Sequence, residues 1–181
     1  GGKTYYVLNK PREVVTTIKD PQGRNTVNHY INQIGKRLFP VGRLDYYSEG
    51  LLILTDDGEL AHRIQHPRYR IEKEYILEID KPLSDAELSE SQRGIRLDDG
   101  FIKPVSIVME KEAGTNAIYR IRITEGRKRI LRRMFEYFNR KVRKLTRVAI
   151  DGVELGDLKP GKWREMSSGE IAKLKNITNL D

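Results

Sequence analysis

Cysteine is absent from the 181 residues. That excludes disulfides and thiolate metal sites, and with them a fold stapled by covalent bridges. Histidine occurs only three times. His62 and His66 have the i, i+4 spacing of a metal pair, but the zincin glutamate is missing and Pro67 closes the helix behind them. No metal is expected there. No apolar run approaches the ~20 residues that a membrane helix needs, so no membrane association is expected. The opening Gly1-Gly2-Lys3, which runs into the strand-like Tyr5-Tyr6-Val7-Leu8, does not look like a secretory leader, and none is expected. A first residue other than methionine leads us to expect a longer parent chain, and the default compartment is a reducing cytoplasm. A Gly-rich phosphate loop ending in Lys-Ser or Lys-Thr does not occur, nor does a dinucleotide fingerprint. No serine has a credible histidine partner.

Positive charge is plentiful but very unevenly placed. The net charge is +8. Residues 127–147 hold ten basic residues against the single acid Glu136, leaving the remainder with 24 basic and 25 acidic residues, close to neutral. Cationic solubility alone would spread the excess; its concentration points to a polyanion, RNA or DNA. The alternative is a solvated helical face with counterions. From Lys128 to Asn139, Ile130, Leu131, Met134, Phe135 and Phe138 fall on one arc of a helix. Arg129, Arg133 and Arg140 lie opposite, and Arg132 sits at the edge, where a guanidinium can reach a carboxylate or phosphate while its stem is buried. Gly126 allows a tight turn into this helix, whose first free N–H groups favour an anion. Lys141, Arg143, Lys144 and Arg147 continue along a predicted strand.

The rest of the chain alternates strands and short helices, without repeats or low-complexity tracts. Strands are predicted at Val14–Ile18, Tyr75–Ile79, Ile95–Leu97, Phe101–Met109 and Ile118–Ile123, the last with the alternation of a one-sided sheet. Asp20-Pro21-Gln22-Gly23, Asp98-Asp99-Gly100 and Asp151-Gly152 are turn signals. Thr26 is expected to cap a helix to Ile34. Asp56-Asp57-Gly58 leads into another, Ser84-Asp85-Ala86-Glu87 is a capping box, and Ser168 opens the last helix. The length fits one domain, spanning residues 1–181 and folded as two packed lobes. The class is α+β with mainly antiparallel pairing rather than a doubly wound sheet.

One carboxylate stands out. In Val41-Gly42-Arg43-Leu44-Asp45-Tyr46-Tyr47-Ser48-Glu49-Gly50, Asp45 follows an apolar run and an arginine, and precedes the strand Leu51-Leu52-Ile53-Leu54. Loops on a rigid scaffold commonly carry reactive groups. A turn aspartate bonding its own backbone is the other reading. Asp56-Asp57 and Asp98-Asp99 resemble magnesium ligands, but each precedes glycine and reads as a turn.

Asn9-Lys10-Pro11 and the run Gly42-Arg43-Leu44-Asp45-x-x-Ser48-x-Gly50-Leu51-Leu52-x-Leu54-Thr55-x-Asp57-Gly58 resemble the RsuA/RluB-type family of ribosomal RNA pseudouridine synthases. Further elements follow in the same order: Glu72-Lys73-Glu74-Tyr75, Gly94-Ile95-x-Leu97-x-Asp99-Gly100, Glu125-Gly126-Arg127 with Arg132-Arg133-Met134, and Leu145-x-Arg147. The resemblance covers nearly the whole chain. It departs at Ile130, where the family typically has glutamine, and these 181 residues do not include the S4-type module often found upstream in the family. Without that module we expect weaker or less selective RNA binding.

The resemblance implies the pseudouridine synthase fold, a mainly antiparallel sheet core with flanking short helices and a central RNA-binding cleft. It implies an isomerase that breaks the uridine C1′–N1 bond and remakes it to C5, with no cofactor. It makes Asp45 the reacting carboxylate, kept ionised by Arg132, and Tyr75 the residue that stacks on the uracil and assists proton transfer at C5. Taken alone, Tyr75 reads equally as a packed strand aromatic. Lys10, Arg43, Arg127, Arg133 and Arg147 become contacts to RNA phosphate or sugar, each with a plain surface role as the alternative. Leu145, with Leu44 beside the catalytic loop, is either the apolar floor under the base or core. The expected partner is ribosomal RNA of the large subunit, with the small subunit second, bound by a bacterial-type monomer. A non-catalytic RNA-binding or ribosome-assembly factor and a metal-dependent nuclease are the competing classes. The first has no use for an intact Asp45, Tyr75 and Arg132, and the second lacks clustered carboxylates.

Overall fold

A computed structural model describes residues 2–181. In chain order the elements are β1 (Tyr5–Lys10), α1 (Asn28–Ile34), β2 (Phe39–Pro40), β3 (Glu49–Thr55) and α2 (Gly58–Gln65). A short 3-10 turn at Pro67–Tyr69 leads to β4 (Lys73–Ile79), α3 (Asp85–Arg93), β5 (Ile95–Leu97) and β6 (Gly100–Ile102). Next come β7 (Ser106–Ala113), β8 (Asn116–Ile123), α4 (Ile130–Tyr137) and β9 (Val142–Ile150). The chain closes with β10 (Val153–Glu154), β11 (Trp163–Glu165) and α5 (Ser168–Ile177). The class is mixed α+β with mainly antiparallel pairing, as the sequence predicts.

Two compact units divide the chain, residues 2–71 with 147–181 and residues 72–146. In the first, β1 pairs antiparallel with β11 and with β3, and β2 pairs with β3. All six residues of β1 are buried, as are six of the seven in β3, so both strands are buried along their length rather than alternating between core and solvent. Asp57 caps α2, its carboxylate accepting from the Leu60 amide at 3.1 Å and from the buried Tyr5 hydroxyl at 2.5 Å. Burial and that carboxylate together push the Tyr5 phenol upward. α5 begins at Ser168 as predicted, and Ser167 and Glu170 form a reciprocal capping box at its N-terminus.

In the second unit β8 is flanked by β4 and β7, both antiparallel, and β5–β6 form a hairpin around Asp98-Asp99. The predicted alternation in β8 is present, with Ala117, Tyr119, Ile121 and Ile123 buried. On the other face Arg120 bridges Glu74 at 2.9 Å and also pairs with Glu110. The apolar arc of α4 packs into this core with every predicted member buried.

Three expectations change. Val14–Ile18 is not a strand: it carries a single parallel bridge from Val15 to Thr26, because its threonine hydroxyls bond backbone carbonyls instead of projecting from a sheet. The predicted strand Phe101–Met109 is two, β6 and β7, broken at Pro104, which has no N–H to give to a ladder. Arg140 does not face solvent. The chain leaves α4 through Asn139 at φ 57° and turns Arg140 inward, to 9% exposure. There its guanidinium donates to the carbonyls of Lys81, Pro82 and Phe138 and to Glu87.

Candidate active site

Asp45 heads a turn, with Tyr46 and Tyr47 at its centre; the Ser48 amide closes it by donating to the Asp45 carbonyl at 2.9 Å. Gly42, at φ 77°, supplies the left-handed backbone that leads the chain out of Val41 and towards this turn. The turn is held from outside on both sides. Thr16 Oγ1 donates to the Leu44 carbonyl at 2.7 Å and accepts from the Leu44 amide at 3.2 Å. The Glu13 amide donates to the Tyr46 carbonyl at 2.6 Å. Asp45 itself is half-buried, Leu44 is core and Arg43 is exposed.

The ground beneath the turn is charged. Lys10, opposite Gly50 in the β1–β3 ladder, is 0% exposed. Its ammonium donates to the carbonyls of Pro11 and Val14, each at 2.8 Å. Burial lowers it to about 8, against the raising effect of Glu49 and Asp45, while Arg147 lowers it further. Lys10 was expected at RNA phosphate; with its ammonium inside and bonded to carbonyls, it instead ties the end of β1 to the Pro11–Val14 segment. Arg147 is 5% exposed, and its Nε donates to the Leu51 carbonyl at 2.8 Å. Its Nη2 is buried with no hydrogen-bond partner among the described residues. Lys10, Arg147, Asp45 and Glu49 therefore form an electrostatically coupled group within the first unit.

The second unit carries the remaining predicted residues. Tyr75 on β4 is buried in the same core cluster as Leu131 and Leu145. Arg132 is half-buried on α4, between the core arc and solvent, as its helical position predicts. Arg127 and Arg133 converge on one carboxylate, Asp99 at the tip of the β5–β6 hairpin. Arg133 grips both Asp99 oxygens, at 2.7 and 3.0 Å, and Arg127 reaches one at 3.1 Å. Arg127 also donates to the Phe101 carbonyl and to Glu125. The Arg133 hydrogen bonds hold the Asp99 carboxyl below its usual range. Asp99, read from sequence only as a turn residue, is thus the acceptor on which two arginines of the basic strip meet.

The family model for RNA pseudouridylate synthase matches residues 4–137. The chain belongs to this family. An uncharacterized RNA pseudouridine synthase of Aquifex aeolicus is 46% identical over 179 residues, 98% of this chain and 72% of the relative. The ribosomal large subunit pseudouridine synthase B of Bacillus subtilis is 36% identical over 97% of this chain and 72% of its own length. A crystal structure of a pseudouridylate synthase matches with a TM-score of 0.82 at 32% identity, covering 96% of this chain and 74% of that one. An H/ACA RNP bound to a substrate RNA containing 2′-deoxyuridine shares the fold, with a TM-score of 0.63 at 13% identity over 83% of this chain and 48% of that one. As a member of its family the protein is an isomerase that makes pseudouridine in RNA.

For this pseudouridine synthase, the sequence predicts several residues that the structure groups. Lys10, Leu44, Asp45 and Arg147 fall in the first unit around one turn, and Tyr75, Arg127, Arg132, Arg133 and Leu145 fall in the second. Thr16 was missed, since nothing local marks a threonine that clamps a loop 28 residues away. The Tyr46-Tyr47 doublet was missed as well, although its place directly after Asp45 was a signal. Among the described residues no group of three or more His, Asp or Glu side chains could hold a metal, and no helix is long and apolar enough to cross a membrane.

Proposed function

We propose that the protein isomerises a specific uridine of ribosomal RNA, with large-subunit RNA as the substrate and small-subunit RNA as the second choice. The observation that carries this is the carboxylate of Asp45 at the head of a turn pinned through Thr16 and Glu13 and underlain by Lys10 and Arg147. The name of the Bacillus subtilis relative supports the large subunit. In this scheme the carboxylate attacks the uridine at C1′ or at C6, or assists departure of the base from the sugar. The C1′–N1 bond breaks, the base turns, and the C1′–C5 bond forms. The proton leaving C5 balances the one gained at N1. Tyr75 handles the C5 proton and Arg132 holds the carboxylate in its charged form. No atoms or electrons are gained or lost, so the scheme calls for no cofactor. Arg43 and the basic strip contact the backbone, offsetting the few kcal/mol (~) needed to take a base out of its stack. The protein acts as a monomer in the cytoplasm.

The test is pseudouridine formation on unmodified ribosomal RNA fragments with chelator present, comparing wild type with Asp45→Asn. Product from the wild type alone, mapped to one position in large-subunit RNA, is the expected result. Equal product from both proteins removes Asp45 from the mechanism. Product only on small-subunit fragments moves the substrate to the second choice. RNA binding with no product from either protein leaves a binding factor and refutes the proposed reaction.

A further inference from the structure

The turn that presents Asp45 also presents two aromatic rings. Tyr46 and Tyr47 are its two central residues, and their rings meet edge to face with centroids 4.9 Å apart and planes at 81°. Each ring has a guanidinium over it: Arg24 stands 5.1 Å from the Tyr46 centroid and Arg12 stands 5.3 Å from the Tyr47 centroid. The Arg24 fork is oriented by Asp20, through bonds of 2.9 and 3.2 Å to the two carboxylate oxygens. Tyr47 is 52% exposed, and the two arginines over the rings, Arg12 and Arg24, are exposed as well.

This arrangement is not explained by packing. An aromatic ring that serves the core is buried; Tyr47 keeps half its surface in water while the backbone of its turn is hydrogen-bonded through Ser48, Glu13 and Thr16. The turn is fixed by Ser48, Thr16 and Glu13, so the rings are presented at a set position relative to the Asp45 carboxylate. Planar rings interleaved with guanidinium groups are the combination that binds unpaired nucleotides: the base stacks on the ring and the cation meets the phosphate. A protein partner would also favour tyrosine and arginine. A family that acts on RNA, together with the surrounding positive charge, favours the nucleic acid.

We propose that Tyr46 and Tyr47, with Arg12 and Arg24, form a stacking platform for the unpaired nucleotide adjacent to the uridine engaged at Asp45. The placement beside the target rests on the proposed role of Asp45; the stacking itself does not. Tyr47 carries the base, Tyr46 braces it edge-on, and the two arginines hold the phosphates on either side. Stacking is tolerant of base identity, so the platform sets which backbone geometry is accepted more than which base flanks the target.

The experiment has two arms. In the first, pseudouridine formation on an unmodified ribosomal RNA fragment is followed for wild type, Tyr47→Ala, Tyr47→Trp and Arg12→Gln. The expected result is a KM raised about tenfold in Tyr47→Ala, which is about 1.4 kcal/mol of lost stacking, with kcat within about twofold and KM restored by Tyr47→Trp. In the second, a short single-stranded RNA with 2-aminopurine beside its lone uridine is titrated with each protein. Wild type and Asp45→Asn should quench the fluorescence and Tyr47→Ala should not. Quenching and KM unchanged in Tyr47→Ala overturn the platform. So does loss of a protein partner from Tyr47→Ala with RNA binding intact. An inactive wild type whose quenching still depends on Tyr47 refutes the proposed reaction while the stacking surface stands. The rings are on the surface, and matching unfolding temperatures verify that each variant is folded.

Discussion

Thr16 and Leu44 are bonded to each other twice through one hydroxyl, which donates to the Leu44 carbonyl and accepts from the Leu44 amide. Thr16 is itself buried, so this hydroxyl satisfies both polar groups of the residue immediately before Asp45 in a place that water does not reach. Thr16→Val keeps the shape and removes both bonds. The expected outcome is a loss of about 1–3 kcal/mol in stability, together with a tenfold or larger fall in kcat from a loosened Asp45 turn. RNA affinity should change little, and Thr16→Ser should restore most of the rate. Steady-state kinetics with a parallel denaturant titration check this. Loss of stability with an unchanged kcat would show that the clamp serves the fold alone.

Lys10 makes stability depend on pH in an unusual direction. Its ammonium is ordinary at 10.5 when unfolded and is lowered to about 8 in the folded chain, first by burial. Between those values the unfolded chain binds the extra proton, so this group makes stability rise with pH across the window. Below pH 8 the full cost of burying the charge applies, about 3 kcal/mol relative to pH above 10.5. Lys10→Met should lose this rise. Urea unfolding of both proteins at pH 7 and pH 10 measures it; parallel pH profiles would mean that Lys10 stays protonated throughout.

Arg140, like Arg147, is a buried member of the basic strip. Its guanidinium serves three carbonyls and Glu87 in a nearly closed site. Arg140→Met leaves these acceptors unsatisfied and should destabilise the protein by about 3 kcal/mol. Arg140→Lys should not rescue it, because an ammonium cannot reproduce the planar fork. The half-exposed Arg133→Met should change thermal unfolding much less and RNA binding more. Calorimetry and a salt-titrated binding assay separate the two.

Gly50 has φ 112°, and a Cβ placed on it would lie 2.2 Å from the Arg147 carbonyl oxygen. Both objections are backbone ones, so no side-chain rotation relieves them. Gly50→Ala should lose more than about 3 kcal/mol and displace β9 at Arg147. Gly114→Ala is the comparison: its φ of 65° is also positive, but nothing lies within 4 Å of the added carbon. There the loss should be only about 1 kcal/mol. Equal unfolding midpoints for the two variants would refute the close approach.

Whatever depends on near neighbours was legible in the amino-acid sequence. The Ser84–Glu87 capping box joins residues three apart, the apolar arc of α4 repeats within four, and β8 alternates by two. The Asp45 turn was legible for the same reason, since glycine and serine at its margins act over single residues. The tertiary structure decided what distant segments supply. Lys10 and Arg140 are charged, and charge alone predicts solvent; each is buried where the folded chain brings carbonyl oxygens to accept from it. Val14–Ile18 has the composition of a strand, yet the Thr16 hydroxyl finds Leu44 across 28 residues and the segment bends to reach it. The gathering of Arg127 and Arg133 on Asp99 was hidden likewise, across 28 and 34 residues. Hydrogen-bond partners at such separations are chosen by packing, because a buried polar group must be satisfied by whatever the rest of the chain places within about 3 Å of it.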